Sequence, residues 1–268
     1  MAAGNSTLSA AFFIPVALFL ELCYNTKQGS ETMTNFEFEN IYHTKEYQSQ
    51  RNDYLSGIVA PENKVETEKI PLDAGFFLMS TEYTLKKQGN ISKTAYEQSL
   101  ISPDGTKIHS WQIADSHDFT DFAAIFTHSD SRLYFIYKED LYGYSVLRLS
   151  DRKELHYIPR GIVTDGKFMG ESFIMTDFHY CRENDIAAAG GCFWAAPYDT
   201  ALLDMTSPLS EPKKLVTVHD IIDPNYENDT LEDIDFKKWD NGFLVLEADA
   251  VKEKLRFSTE NLRHFMAM

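Results

Sequence analysis

From Phe122 to Tyr157 the chain has no twelve-residue stretch whose apolar positions recur with the 3.6-residue period of a helix. It has short apolar runs instead, at Ala123–Thr127, Arg132–Lys138, Leu141–Ser150 and Glu154–Ile158. Turn-forming residues separate them at His128-Ser129-Asp130-Ser131, Glu139-Asp140 and Asp151-Arg152. Runs this short, rich in aromatic and β-branched residues, read as four strands joined by tight turns. A chain built this way is all-β, because neither a helical bundle nor an alternating α/β order can be drawn from it.

The same plan extends on both sides. Gly75–Leu85 reads as a strand followed by a Gly89-Asn90 turn. Tyr96–Ile101 and Lys107–Ile113 flank Ser102-Pro103-Asp104-Gly105. There Pro presets φ and Gly accepts a positive φ, so the segment reads as a hairpin. Phe173–Cys181 pairs with Asp185–Ala196 across Arg182-Glu183-Asn184, and Thr200–Thr206 and Lys213–His219 follow. Gly190-Gly191 before Cys192-Phe193-Trp194 marks a strand that approaches a neighbour closely. Ile234–Trp239, Phe243–Asp249 and Glu253–Thr259 form the last set. Asn35–Thr44 alternates as a strand with a shift near Asn40, placed to complete that last set. Lys45–Ile70 is polar and reads as loop, with one short strand at Tyr54–Val59. The tail Glu260–Met268 reads as a short helix or an addition to a strand.

Aligning these sets gives a repeat. Leu133–Ile136 matches Ile186–Ala189 and Phe243–Leu246, and Ser145–Ser150 matches Thr200–Met205. Units of four short strands at this spacing are the mark of propeller blades. About four such units run from Gly75 onward. The expected fold is therefore all-β with propeller-like repeats of four-stranded antiparallel units, in a closed or incomplete ring; a β-sandwich is the competing architecture.

Leu100–Lys107, with its Ser-Pro-Asp-Gly turn, resembles the turn common in β-propeller repeats. Gly190–Asp199 followed by Leu203-Asp204 resembles a segment of uncharacterised bacterial β-propeller-like (WD40-like) proteins. The resemblance covers Gly75 to about Phe257. The Trp-Asp dipeptide of WD40 repeats occurs once, at Trp239-Asp240, where it precedes a turn instead of ending a strand. The resemblance implies a fold and leaves the substrate open.

Composition narrows the function classes. Lys and Arg number 25 against 41 Asp and Glu, a net charge of −16, which repels a phosphate backbone and argues against nucleic-acid binding. A basic partner or a cation is compatible with it. Three cysteines, Cys23, Cys181 and Cys192, do not make a disulfide framework in 268 residues, and the expected location is the cytoplasm. The apolar run Ala10–Tyr24 carries Pro15 and Glu21 and is too short to span a membrane. With no Lys or Arg before Lys27 it reads as an N-terminal extension or short apolar helix over residues 1–32; secretion through a divergent signal is the alternative. Residues 33–268 read as one propeller-like domain.

No Walker loop, dinucleotide glycine fingerprint, His-Glu-x-x-His or Cys-x-x-Cys pair is present, and no cofactor is expected. Asp177, His179 and Cys181 alternate on a predicted strand and so share a face. That set suits a metal such as zinc, though a polar face between units shows the same pattern. Cys192 joins Cys181 only if the hairpin register brings the two close. The acidic run from His219 to Asp235 fails the EF-hand spacing counted from Asp223, because Asn228 stands at the turn and Ile234 at the twelfth place. His117, Asp118 and Asp121 near Ser116 lack a nucleophile elbow. Among the aromatics Trp111, Tyr134, Tyr137, Tyr142, Tyr144, Phe193, Trp194 and Tyr198, most are expected in the core. The Leu141–Ser145 strand is a candidate channel mouth. The expected function is a non-catalytic binding module for a protein or peptide, with Asp177, His179, Trp194 and Tyr198 as binding residues. The alternative is a metal-assisted hydrolase at Asp177 and His179.

Overall fold

The computed structural model describes residues 35–86, 92–114, 122–164, 167–168, 171–194, 196–212, 214–222, 233–248 and 254–267. The readings of Ala10–Tyr24, Cys23, Gly89-Asn90, Ser116–Asp121 and most of the acidic run lie outside these residues. β1 (Asn35–Asn40) and α1 (Lys45–Ser56) come first. Sheet one is β2 (Lys64–Pro71), β3 (Phe77–Lys86), β4 (Ser92–Ile101) and β5 (Lys107–Ala114). Sheet two is β6 (Ala123–Thr127), β7 (Leu133–Tyr137), β8 (Tyr144–Arg148) and β9 (Lys153–Tyr157). Then come β10 (Pro159–Thr164) and β11 (Lys167–Phe168), which form a separate three-stranded sheet with β1. Sheet three is β12 (Ile174–Met175), β13 (His179–Cys181), β14 (Ile186–Cys192), β15 (Asp199–Asp204) and β16 (Val216–Thr217), and the short α2 (Val218–Ile222) follows. Sheet four is β17 (Ile234–Trp239), β18 (Phe243–Ala248) and β19 (Leu255–Ser258), closed off by α3 (Thr259–Ala267).

Every described pairing is antiparallel, and sheets one, two and four run as simple meanders. In sheet three the first row is broken: β12 and β13 both pair with β14, at opposite ends. The break lies at Thr176–Phe178, where the Thr176 N–H reaches the Gly190 carbonyl (2.8 Å) and the Asp177 carboxylate accepts from the Gly190 N–H (2.5 Å). A Cβ on Gly191 would stand 2.0 Å from the Ile174 carbonyl oxygen. The Gly-Gly pair therefore supplies the close approach expected of it.

The sheets stack face to face, and alternation explains how. Phe135, Tyr137 and Leu147 of sheet two meet Leu78, Leu100, Trp111 and Ile113 of sheet one. The intervening Tyr134, Ile136, Val146 and Leu155 point the other way, onto Phe173, Met175, Ala187, Ala189 and Leu203 of sheet three. Ile186, Ala188 and Leu202 then face Ile234, Leu244 and Leu246 of sheet four, with Leu262 of α3. Sheets two and three are thus buried on both faces, which is why β7, β8, β14 and β15 read as near-continuous apolar runs. Outside a patch at Tyr83, Ala95 and Ala114 that Leu55 and Ile58 cover, the outer face of sheet one is polar, with Thr67 bonded to Thr81 (3.0 Å) and Ser99 to Ser110 (2.8 Å). The outer face of sheet four is laced by Lys237–Glu247 (2.8 Å). Among the described residues no apolar cluster joins sheets one and four.

Three expectations change. Asn35–Thr44 does not complete the last set: β1 pairs with β10. Lys45–Ile70 is not loop with a strand at Tyr54–Val59 but α1 followed by β2. The helix escaped the periodicity test because Leu55 is its one buried residue; it is set instead by the Thr44 cap, whose hydroxyl accepts from the Tyr47 N–H at 3.3 Å. The Leu141–Ser145 segment is no channel mouth, since Tyr144 and Ser145 are buried in the stack. The tail forms α3, and the Ser102–Gly105 hairpin turn stands as expected, with Gly105 at φ 86°. No helix among the described residues is long and apolar enough to cross a membrane.

Because Phe135 is fully enclosed between two sheets, Phe135→Ala is expected to cost about 3–5 kcal/mol in urea unfolding. Val65→Ala on the exposed β2 is expected to stay within about 0.5 kcal/mol.

Candidate functional site

The interface between sheets one and two is apolar along most of its width and turns polar at its β5–β9 edge. Alternation fixes which residues arrive there. On β5, His109 and Trp111 share the face of buried Ile113; on β9, Glu154 and His156 point opposite to Leu155 and Tyr157. Tyr42 from the β1–α1 link and Arg51 from α1 close the edge from above. Together with Glu97, Ser110, Gln112 and Glu139 they line a cleft of about 440 Å³.

Glu139, in the β7–β8 connection, is the hub. Its carboxylate accepts from Ser145 Oγ (2.8 Å), Tyr42 OH (3.1 Å) and the Arg51 guanidinium (3.4 Å), and meets His156 Nδ1 at 2.5 Å. Burial raises its proton affinity, but His156, Ser145 and Arg51 together outweigh burial and hold Glu139 below the usual carboxylate range. His156 Nε2 lies 3.2 Å from Glu154, and the Tyr42 ring stacks on the imidazole at 4.4 Å. Burial disfavours a charged His156, yet Glu139 and Glu154 prevail and its pKa is raised. The geometry says the same: both ring nitrogens face carboxylates, so both must carry hydrogens. His109 is the opposite case. Its Nδ1 faces Glu154 (3.0 Å) and its Nε2 faces the Tyr137 hydroxyl (2.9 Å). A neutral Nδ1–H tautomer satisfies both contacts, and burial, the largest influence, lowers its pKa against the pull of Glu154 and Glu139.

Beside the hub, Asp140 accepts from Tyr47 OH (2.8 Å) and the Leu141 N–H (2.6 Å), and burial pushes its carboxyl up. Lys138 is 2% exposed, donates to the Met175 carbonyl (3.0 Å), and is pushed down to about 8 by burial. Three consecutive charged residues are thus held inward by sheets two and three and by the α1 segment.

Ser145, His156 and Glu139 form a triangle that invites a hydrolase reading, but the geometry does not make a relay. A general base takes a proton on one ring nitrogen while a carboxylate orients the other. Here Ser145 (3.1 Å) and Glu139 both address Nδ1, and Ser145 is 1% exposed.

Of the residues singled out in the sequence, Trp111 lines the cleft and Tyr137 meets His109; the expected binding residues lie elsewhere. Asp177 and His179 do come together, at 3.4 Å, with His179 stacked on Phe236 at 3.8 Å. Burial raises the Asp177 pKa, but His179 and the Gly190 N–H bring it below the usual range. Cys181 is turned to Glu183 (3.2 Å) and pushed up to about 11 by burial. It does not pair with Cys192: both thiols are free, Cys181 pairs with Ile186 and Cys192 with Ile174, at opposite ends of β14. Among the described residues no three His, Cys, Asp or Glu side chains are placed to hold a metal ion. Trp194 is 37% exposed, and its N–H donates to Glu171 (2.9 Å). The Tyr198 N–H donates to Asp233 (2.7 Å). Both lie on the connection from β14 to β15, where Asp233, at the end of the acidic run, acts as a backbone anchor. The sequence reads Glu139 as half of the Glu139-Asp140 turn. The available signal was alternation: His109-x-Trp111 shares a face with Ile113 on β5, and Glu154-x-His156 lies opposite Leu155 and Tyr157 on β9. No family model, curated protein or solved structure matches the chain.

Removing the hub should be costly. Glu139→Ala leaves Arg51 and His156 facing each other and is expected to cost about 3–5 kcal/mol. The depressed Glu139 pKa gives stability present above its unfolded value and lost as pH falls through the folded one. The raised His156 pKa gives stability present below its unfolded value and lost as pH rises through the folded one. The difference between wild type and Glu139→Ala in urea unfolding is therefore expected to peak between about pH 4.3 and about pH 6.5.

Proposed function

We propose that the chain is a non-catalytic binding module, an open β-propeller-like stack that seats a basic side chain of a protein or peptide partner in the cleft between sheets one and two. The observation that carries this reading is the cleft itself. Its floor is prearranged, with Glu139 already fully engaged, and its remaining carboxylates, Glu97 and Glu154, lie on its walls. A chain of net charge −16 steers cations toward such a place. The face-to-face stacking of four antiparallel sheets, three of them simple meanders, supports the propeller-like description, and so does the resemblance of Leu100–Lys107 and Gly190–Asp199. The free thiols of Cys181 and Cys192 accord with a cytoplasmic location.

The test is a titration of acetyl-Gly-Arg-Gly-amide against the isotopically labelled protein, with the citrulline analogue as control. The arginine peptide is expected to shift the Trp111 indole resonance, and the neutral analogue to bind at least about tenfold more weakly, as loss of a charge-assisted bond implies. Glu154→Gln and raised ionic strength should both weaken the arginine peptide. Equal affinity for the two peptides, or turnover of a small molecule that a cleft substitution abolishes, would overturn the reading.

A further inference from the structure

The segment Ile41–Ser56 is attached to the sheets through few groups; the Ile41 N–H bonds the Ile158 carbonyl (2.9 Å), and Tyr42 and Arg51 gather at Glu139, beside the His156 ring. Tyr42 stacks on the imidazole with ring planes 7° apart and donates to Glu139. Arg51 reaches Glu139 and the Gln112 carbonyl. Asn40 donates to the His156 carbonyl (2.7 Å) and to Glu211 (2.8 Å), and Tyr47 donates to Asp140. Only Leu55 of α1 is buried; with Ile58 it packs on Tyr83, Ala95 and Ala114 of sheet one. The segment is thus held by polar contacts around Glu139 at one end and, at the other, by a small apolar patch with the Tyr54 hydroxyl on the Thr94 carbonyl (3.3 Å).

The polar end balances only in one state. Glu139 and Glu154 bring two negative charges; Arg51 and a doubly protonated His156 bring two positive ones. When His156 loses a proton, one ring nitrogen turns a lone pair toward a carboxylate, either Glu139 at 2.5 Å or Glu154 at 3.2 Å. The cationic ring beneath Tyr42 is lost at the same moment. No other group facing His156 compensates. His109 already satisfies Glu154 and Tyr137 as a neutral ring, the single hydroxyl hydrogen of Ser145 can serve either Glu139 (2.8 Å) or a bare Nδ1 (3.1 Å) but not both, and exposed His43 meets His156 edge-on at 6.5 Å. Asp140 is engaged by Tyr47 and the Leu141 N–H. Lys138 bonds the Met175 carbonyl, on sheet three.

We propose that His156 is a proton-operated latch: as an imidazolium it pins the Tyr42–α1 segment over the cleft, and as a neutral ring it releases that segment. Low pH closes the cleft edge and higher pH opens it. The latch is a property of the segment and holds whether or not the cleft takes a basic ligand.

Hydrogen exchange of the full chain, followed by mass spectrometry and corrected for intrinsic rates, tests it at about pH 5.5 and about pH 8.5, either side of the ordinary imidazole value. Protection of peptides spanning Tyr42–Ser56 is expected to fall at least tenfold at the higher pH, while β7 and β14 stay protected. His156→Gln should loosen the segment at both pH values and abolish the difference. Tyr42→Leu, which removes the stack together with one hub donor, should shrink it, whereas Tyr42→Phe, which removes the donor and keeps the stack, should retain it. His109→Gln and His43→Gln should leave it intact. Equal corrected protection at the two pH values in the wild type overturns the proposal, as does a pH difference that survives in His156→Gln.

Discussion

Two sheets in the middle of this protein have no outer face. Each strand of β7, β8, β14 and β15 sends odd and even side chains to different neighbours, so a single apolar run builds two interfaces at once. That constraint fixes the register. A slip of one residue would exchange every side chain between the two interfaces, putting Phe135 where the small Ala187 and Ala189 leave room for Ile136. The size pattern supports this. Sheet three offers alanines at Ala187, Ala188, Ala189 and Ala201 where its neighbours offer rings and branched chains, and Gly191 where even a methyl group would strike the Ile174 carbonyl.

The same constraint explains why the polar chemistry collects at one edge. In the middle of the stack a charged group has no route to water and few partners. At the β5–β9 edge the interface opens, and α1 approaches with Arg51. Glu139 is tolerable there because four donors from four elements converge on it, each a fixed side chain. A buried carboxylate without them would cost several kcal/mol. Two histidines within one cleft take opposite states for the same reason. His156 lies between two carboxylates, and His109 lies between a carboxylate and a hydroxyl that can donate.

The strands were legible because they are short, apolar and punctuated. Ser102-Pro103-Asp104-Gly105 announces its turn through Pro and Gly; Trp239, expected to precede a turn and not to end a strand, instead ends β17, where its indole bonds the His179 carbonyl of the neighbouring sheet (2.8 Å). The helix α1 was not legible, because helical periodicity reports a buried stripe and α1 buries one residue. Nor was the pairing of β1 with β10, which joins segments far apart in the chain and leaves no local mark. The cleft was hidden for a related reason. Asp177-x-His179-x-Cys181 and Glu154-x-His156 are the same kind of pattern, and only the neighbouring sheet decides which becomes a site. For Asp177 and His179 that neighbour is Phe236, a flat apolar ring. For Glu154 and His156 it is His109, Tyr42 and Glu139.

The polarity of the two end faces bears on whether such a stack can close into a ring. Closing it would press the outer face of sheet one against that of sheet four. The first carries Thr67, Thr81, Ser99 and Ser110 in hydroxyl pairs, with Glu97 beside them; the second carries Lys237 paired with Glu247, and Arg256 lying 4.6 Å over the Phe243 ring. Each set is satisfied within its own sheet. Burying them together would strip water from charged groups already engaged within their own sheets. The stack therefore ends where its side chains turn polar. Among the described residues no further sheet packs on sheet one, and α1, seated on its outer face through Leu55 and Ile58, leaves Glu154 and His156 lining a cleft that a ligand or a proton can reach.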